Sequence, residues 1–401
     1  MNHLIHTISD HMNKDFGKYW PGFSKVAYAL YDHEKVYLFN HPAYENKTTP
    51  TVIPRNKEEF SGADTIILYA EHPTTIVNMT NKQNIEEVYA ILVHELFHGF
   101  QHLQGEQRFP NEVLGMTYPV SKENIELRNK ERNYLYKAIF TKDQSQKLTF
   151  MRKLIQLREQ RKHLLGDAFT YELAVETTEG PAWYVELLAK ADIRSINKED
   201  LFQQYLDPLL NIEDSNLHMR KSCYSAGLAI CLLLEEYDRH WQNNFFTSGN
   251  MLYDYLLNIV EVHEESRENE EVMISPETEE IVEKITAFKE DQFQQFISQK
   301  GIHVFIEGDM SIKMFDPMNI VAHQNKMLHH HFIKLQIQQQ EYFISQPVIT
   351  YYHGKFTQVD KVHLVLSDEP QVSDNTIHLQ GIGQIQGDII QQNGGYYIQC
   401  K

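Results

Sequence analysis

Two histidines and a glutamate stand together in His94-Glu95-Leu96-Phe97-His98. Residues four apart share one face of a helix, so both imidazoles can reach a single metal ion. Glu95 stands beside them, placed to take a proton from a water that such a metal polarises. Two histidines plus a carboxylate, with one open position, suit Zn2+, which lowers the pKa of a bound water to about 7. A third ligand is needed. The stretch Tyr171–Glu186 offers Glu172, Glu176 and Glu179 as candidates.

The elements that must position these residues are legible in part. A helix is expected from Asn84, a capping residue with Glu87 three positions on, to Gly105. Ile85, Val88, Tyr89, Leu92, Leu96 and Leu103 recur at helical spacing and define its buried stripe, with the histidines opposite. Pro181 belongs in a first helical turn, so a new helix is expected near Thr178. Further helices are expected at 181–190 and 224–241. Residues 122–177 read as a long, charged helical insertion. Ahead of the first long helix come a short polar helix over 1–20 and three strand-like runs, Val26–Tyr31, Lys35–Asn40 and Asp64–Tyr69. Asp32-His33-Glu34 reads as the turn between the first two. Beyond about residue 300, runs such as VFIEG, IKMF, HFIKLQI, EYFISQPVITYY, KVHLVL and YYIQC read as strands of a sandwich or open barrel.

The order of motifs carries a resemblance. His94–His98, followed by Glu179-Gly180-x-Ala182-x-Tyr184-x-Glu186, resembles the gluzincin metallopeptidases, in particular the aminopeptidase N-like branch. The resemblance implies Glu179 as the third metal ligand. Tyr224-Ser225-Ala226-Gly227 is similar to the Y-x-x-G segment of the same branch, which implies that Tyr224 stabilises the tetrahedral intermediate. It covers about 150 residues in pieces. Glu179 lies 81 positions after His98, farther than in that branch, and the excess matches the helical region 122–177. The branch's Gly-Ala-Met-Glu-Asn segment does not occur before Asn84, so its aminopeptidase specificity is not carried over.

Other residues have smaller claims. Gln101 and His102 continue the metal-facing side of the helix; His102 could support a ligand or bind a substrate carboxylate. Glu186 could orient a ligand or bind a substrate amine. His329-His330-His331 alternates across a strand, forms no tight ligand set and reads as surface composition. Gly381-x-Gly383-x-x-x-Gly387 lacks a following helix and is no phosphate loop.

The 401 residues carry 37 basic and 55 acidic side chains, a formal charge of -18, which excludes the basic footprint of a nucleic-acid binder. No run of about 18 apolar residues or secretory leader is read, and the three cysteines form no disulfide or thiolate pattern, so a cytoplasmic location with no membrane partner is expected. The triplets at Asn46 and Asn78 then carry no glycosylation meaning. The acidic Glu261–Glu271 stretch reads as a solvated loop or helix face. Taken together, an α+β chain is expected. A zincin-like, mainly helical metallopeptidase domain with a small N-terminal β-sheet spans 1–300, and an all-β domain spans 301–401. The expected activity is hydrolysis of a peptide or protein substrate. The alternatives are a zinc-binding or inactive scaffold for protein interaction, and a zinc hydrolase of a non-peptide amide or ester.

Overall fold

The computed structural model describes residues 2–44, 49–56, 59–60, 64–80, 82, 84–260, 271–392 and 394–400. The Asn46 triplet and the acidic stretch up to residue 270 lie outside them. The chain divides into two compact units, one of Met1–Asn111 with Glu123–Ile274, the other of Glu112–Lys122 with Ser275–Lys401. Its helices are α1 (Asn2–His11), α2 (Ile85–Leu103), α3 (Glu112–Met116), α4 (Lys122–Phe140), α5 (Gln144–Leu165), α6 (Asp167–Arg194), α7 (Phe202–Leu206), α8 (Ile212–Leu217), α9 (Met219–Tyr237), α10 (Leu252–Ile259) and α11 (Pro276–Ile297). With strands at both ends, the layout is α+β. Among the described residues no helix is long and apolar enough to cross a membrane.

The first unit holds a five-stranded sheet of β1 (Ala27–Tyr31), β2 (Lys35–Phe39), β3 (Thr51–Pro54), β4 (Thr65–Tyr69) and β5 (His72–Asn78), in the order β3-β2-β1-β5-β4. β1 pairs parallel with β5 and antiparallel with β2. Asp32 builds the turn between β1 and β2, its Oδ1 accepting from the amides of Glu34 and Lys35 at 2.8 Å each. Both faces of the central strands are buried. Tyr28, Leu30, Tyr37, Phe39 and Val77 join the main helical core, while Ala29, Tyr31, Val36, Leu38 and Ile76 pack with Phe60 on the other side. Two-sided burial explains the near-continuous apolar runs in the sequence. β3 and β5 carry too little alternation to be read from sequence.

Several expected helices change here. The N-terminal segment is not a polar helix through residue 20. α1 ends at His11, and its Ile5 and Ile8, with Met12 just beyond, are buried in the core. α2 begins where expected, Asn84 Oδ1 accepting from the Glu86 amide at 2.9 Å. However, it is buried almost all round rather than along one stripe, and Leu103 is 52% exposed. No helix starts near Thr178: α6 runs unbroken from Asp167 to Arg194 with Pro181 inside it. Pro181 cannot donate to the Thr177 carbonyl, a cost of about 3 kcal/mol, yet nearly every residue of this stretch is buried and tertiary packing prevails. The expected helix at 224 in fact starts at Met219. α6 and α9 cross at their glycines. A Cβ on Gly180 would stand 2.6 Å from the backbone of Gly227, and one on Gly227 would stand 2.6 Å from the Glu176 carbonyl.

The second unit pairs α11 with a β region. β6 (Ile302–Phe315), β7 (Ile320–His323), β8 (Lys326–His329), β9 (Ile333–Ile337), β10 (Gln340–Ile344), β11 (Val348–Tyr352), β12 (Gln358–Leu366), β16 (Asp388–Gln392) and β17 (Gly395–Gln399) form a nine-stranded sheet. β13 (Gln371–Ser373), β14 (Thr376–Leu379) and β15 (Gly383–Gln386) form a three-stranded one. The VFIEG and IKMF runs are one long strand, β6, passing through Gly308 at φ 147°. Conversely, EYFISQPVITYY is two strands. Phe293 and Phe296 of α11 pack on Leu328 and Ile349. His329 is buried at 1% exposure and bonds Thr350 Oγ1 at 3.0 Å, so the triple histidine is not wholly surface composition.

Candidate metal centre

The site is assembled from three helices of the first unit. α2 supplies His94, Glu95 and His98; the hydroxyl of Thr75 on β5 donates to the Glu95 carbonyl at 3.1 Å, tying the helix to the sheet at the motif. α6 supplies Glu179 and Glu186, and α9 supplies Arg220 and Tyr224.

Of the three candidate carboxylates, two are committed elsewhere. Glu176 accepts both ends of the Arg158 guanidinium at 2.6 and 2.7 Å. Glu172 bonds Arg161 and accepts from Arg128 Nε at 3.2 Å. All these groups are buried, and Glu131 completes the cluster between Arg158 and Arg161. Both oxygens of each carboxylate are thus turned to buried guanidinium groups rather than to the histidines. Glu179, one turn further along α6, faces the histidines instead. Its Oε2 lies 3.2 Å from His98 Nε2 and 3.6 Å from His94 Nε2, and the two Nε2 atoms are 3.1 Å apart.

The protonation of this triangle follows from its surroundings. Gln101, fully buried, donates through Nε2 to the Thr178 carbonyl at 2.9 Å, which turns its Oε1 toward His98. His98 Nδ1, 2.7 Å away, must therefore carry the hydrogen and donate it, leaving a lone pair on Nε2. His94 Nδ1 lies 3.0 Å from Glu186 Oε2, a close contact rather than an aligned hydrogen bond. A carboxylate can only accept, so Nδ1 carries the hydrogen there too. Tyr205 donates to the other Glu186 oxygen at 2.8 Å and fixes that carboxylate. Three acceptor atoms thus converge on one point, with His94 and Glu179 buried and His98 half-buried.

Such a point is suited to a positive charge. Burial opposes charge on the imidazoles, but Glu179, Glu186 and Glu95 outweigh it and hold His94 well above its ordinary range; His98 is raised by Glu179 and Glu95 against its burial and the nearby His94. Glu179 is likewise held well below the usual carboxylate range, the histidines overcoming its burial. Protons can serve, or a metal. Ligand atoms about 2.0–2.1 Å from a tetrahedral ion stand about 3.3 Å apart, and the observed 3.1, 3.2 and 3.6 Å edges bracket that value. The donor set of two imidazoles and one carboxylate fits zinc in kind and spacing.

Glu95 is half-buried beside the triangle and acts electrostatically on both histidines. The Tyr224 ring stacks along His94 at 6.4 Å between centroids, and Trp183 meets Tyr224 edge-on at 5.6 Å. Burial and the neighbouring Glu179 charge push the Tyr224 phenol far up, so it remains a donor. His102 is exposed near the end of α2 and does not join the group. Arg220 was not singled out from sequence. It stands four residues before Tyr224, a spacing that shares one helix face only once the helix is known to begin at Met219.

Comparison with protein-family models, curated proteins and solved structures finds no match to this chain.

Proposed function

We propose that this protein is a zinc-dependent metallopeptidase of gluzincin type with a zincin-like first unit, located in the cytoplasm. The observation that carries the reading is the convergence of His94 Nε2, His98 Nε2 and Glu179 Oε2, with a carboxylate that is not a ligand, Glu95, beside them. A purely structural site has no use for that fourth group. Zinc bound by the triad would supply Lewis acidity, polarising the scissile carbonyl and acidifying the attacking water. Glu95 accepts the water's proton and delivers it to the leaving amine. Tyr224 donates to the oxygen on which charge develops. Glu186 and Gln101 hold the imidazole tautomers through both steps. β4, an edge strand of the sheet, aligns an extended peptide through its main chain.

The test is metal content and peptidase activity in wild type, Glu179→Ala and Glu95→Gln. The expected result is near-stoichiometric zinc in wild type and Glu95→Gln, reduced zinc in Glu179→Ala, and cleavage of a mixed peptide library by wild type alone. Wild type that takes up no zinc when it is supplied refutes the reading. Zinc without cleavage of any peptide refutes the peptidase assignment and leaves a scaffold or a non-peptide hydrolase.

A further inference from the structure

We propose that Arg220 is a positioning residue that holds Glu179 so that a single carboxylate oxygen faces the two imidazoles; this rests on the reading of His94, His98 and Glu179 as the zinc ligands. The guanidinium bridges two turns of α6. Nη2 donates to Glu179 Oε1 at 3.0 Å, and Nη1 reaches the Tyr171 hydroxyl at 3.4 Å. The two Glu179 oxygens are thereby divided: Oε1 goes to Arg220 and Oε2 to the histidines. Among the described residues no other arginine or lysine lies within ion-pair distance of Glu179. With Glu179 only 7% exposed, water has little access to orient it. A carboxylate left to itself can turn both oxygens onto a cation, which fills the open position a substrate needs. Arg220 prevents that turn. Its planar fork matters as much as its charge, since a lysine keeps the charge but cannot span Glu179 and Tyr171 together. Because α9 also carries Tyr224 one turn on, one helix sets both the ligand and the oxyanion donor.

Zinc affinity by competition with a chromophoric chelator, and the visible spectrum of the Co2+-substituted protein, test this in the full chain. Wild type, Arg220→Lys and Arg220→Gln are compared. Arg220→Gln is expected to lose about 10-fold or more in zinc affinity, with Arg220→Lys intermediate. The Co2+ absorption of Arg220→Gln should weaken as the second Glu179 oxygen enters the coordination sphere. Wild-type affinity together with a wild-type Co2+ spectrum in Arg220→Gln overturns the proposal. Should Arg220→Gln not fold, Arg220→Lys decides alone: affinity and spectrum equal to wild type overturn the proposal, and reduced affinity with a weakened spectrum supports it. A wild type that binds neither metal is a distinct result, and it removes the zinc reading and this proposal together.

Discussion

Gln101 shows how much a single amide can determine. Its two ends have different partners, a carbonyl on α6 and an imidazole on α2, so its orientation is fixed by chemistry rather than by choice. Gln101→Leu removes both bonds, frees the His98 ring to turn, and leaves the Thr178 carbonyl and His98 Nδ1–H buried without this partner. We expect zinc affinity to fall about 10- to 100-fold, measured by chelator competition, while Gln101→Glu, which keeps the acceptor, loses less. Equal affinity in Gln101→Leu and wild type would show that His98 is held by packing alone. At this scale the sequence was informative where the candidate site is local. His94, Glu95 and His98 lie within one turn and could be read directly. Glu172, Glu176 and Glu179 could not be separated by the residues alone, since all three sit in one acidic helix. The missing signal lay elsewhere: Arg128 with Arg132, and Arg158 with Arg161, repeat at helical spacing and take up the first two glutamates.

The helices carry a second kind of constraint. Gly180, the residue after the third candidate ligand, and Gly227, at the end of Tyr224-Ser225-Ala226-Gly227, press against each other where α6 crosses α9. Backbone contact at this point sets the distance between Glu179 and the pair Arg220 and Tyr224. A methyl group on either glycine has only backbone to push against, and backbone cannot rotate away as a side chain can. Gly180→Ala and Gly227→Ala are each expected to cost about 1–3 kcal/mol. Urea unfolding measures the cost, and zinc affinity should fall in parallel because the helices part. A substitution as stable as wild type would mean that the crossing is looser than these distances imply. Glycine in a motif can mark such an approach, but one sequence does not say which glycine meets which. Pro181 illustrates the reverse difficulty. Its local rule favours a helix start, yet the continuous α6 brings Glu179 and Glu186 onto one side, and a break at Thr178 would have separated them. β4 was legible because its apolar run is bounded by turns, whereas its position at the sheet edge depends on pairing with β5 and was not.

Across the molecule, the two units carry their histidines differently, and the second unit sets an acid limit. His329 and His363 are both buried there, and burial pushes each down to about 4. His363 is also held low by His303, whose Nδ1 lies 2.8 Å away, and by Lys361. In the unfolded chain both rings titrate near 6.5. Between about 6.5 and about 4 the unfolded state therefore binds protons that the folded state refuses, so stability falls as pH falls. Above about 7 both states are neutral at these rings and the contribution is constant. The slope is about 1.4 kcal/mol per pH unit for each histidine inside that window. Proton NMR of the full chain should show the C2 signals of these two rings unmoved from pH 7 down to about 5. Urea unfolding of His363→Gln against wild type should show the variant's pH slope shallower between 4 and 6.5 and equal above 7. Rings that titrate near 6.5 in the folded protein would contradict the burial seen here, and an unchanged slope in His363→Gln would assign the acid sensitivity to other groups. The sequence placed a β-rich region after residue 300 but not this property. A histidine in an alternating strand is apolar-facing or solvent-facing according to register, and shifting the register by one residue exchanges the two. His329 and His331 occupy opposite fates two positions apart, one buried against Thr350 and one exposed beside Asp316, because the strand ends between them.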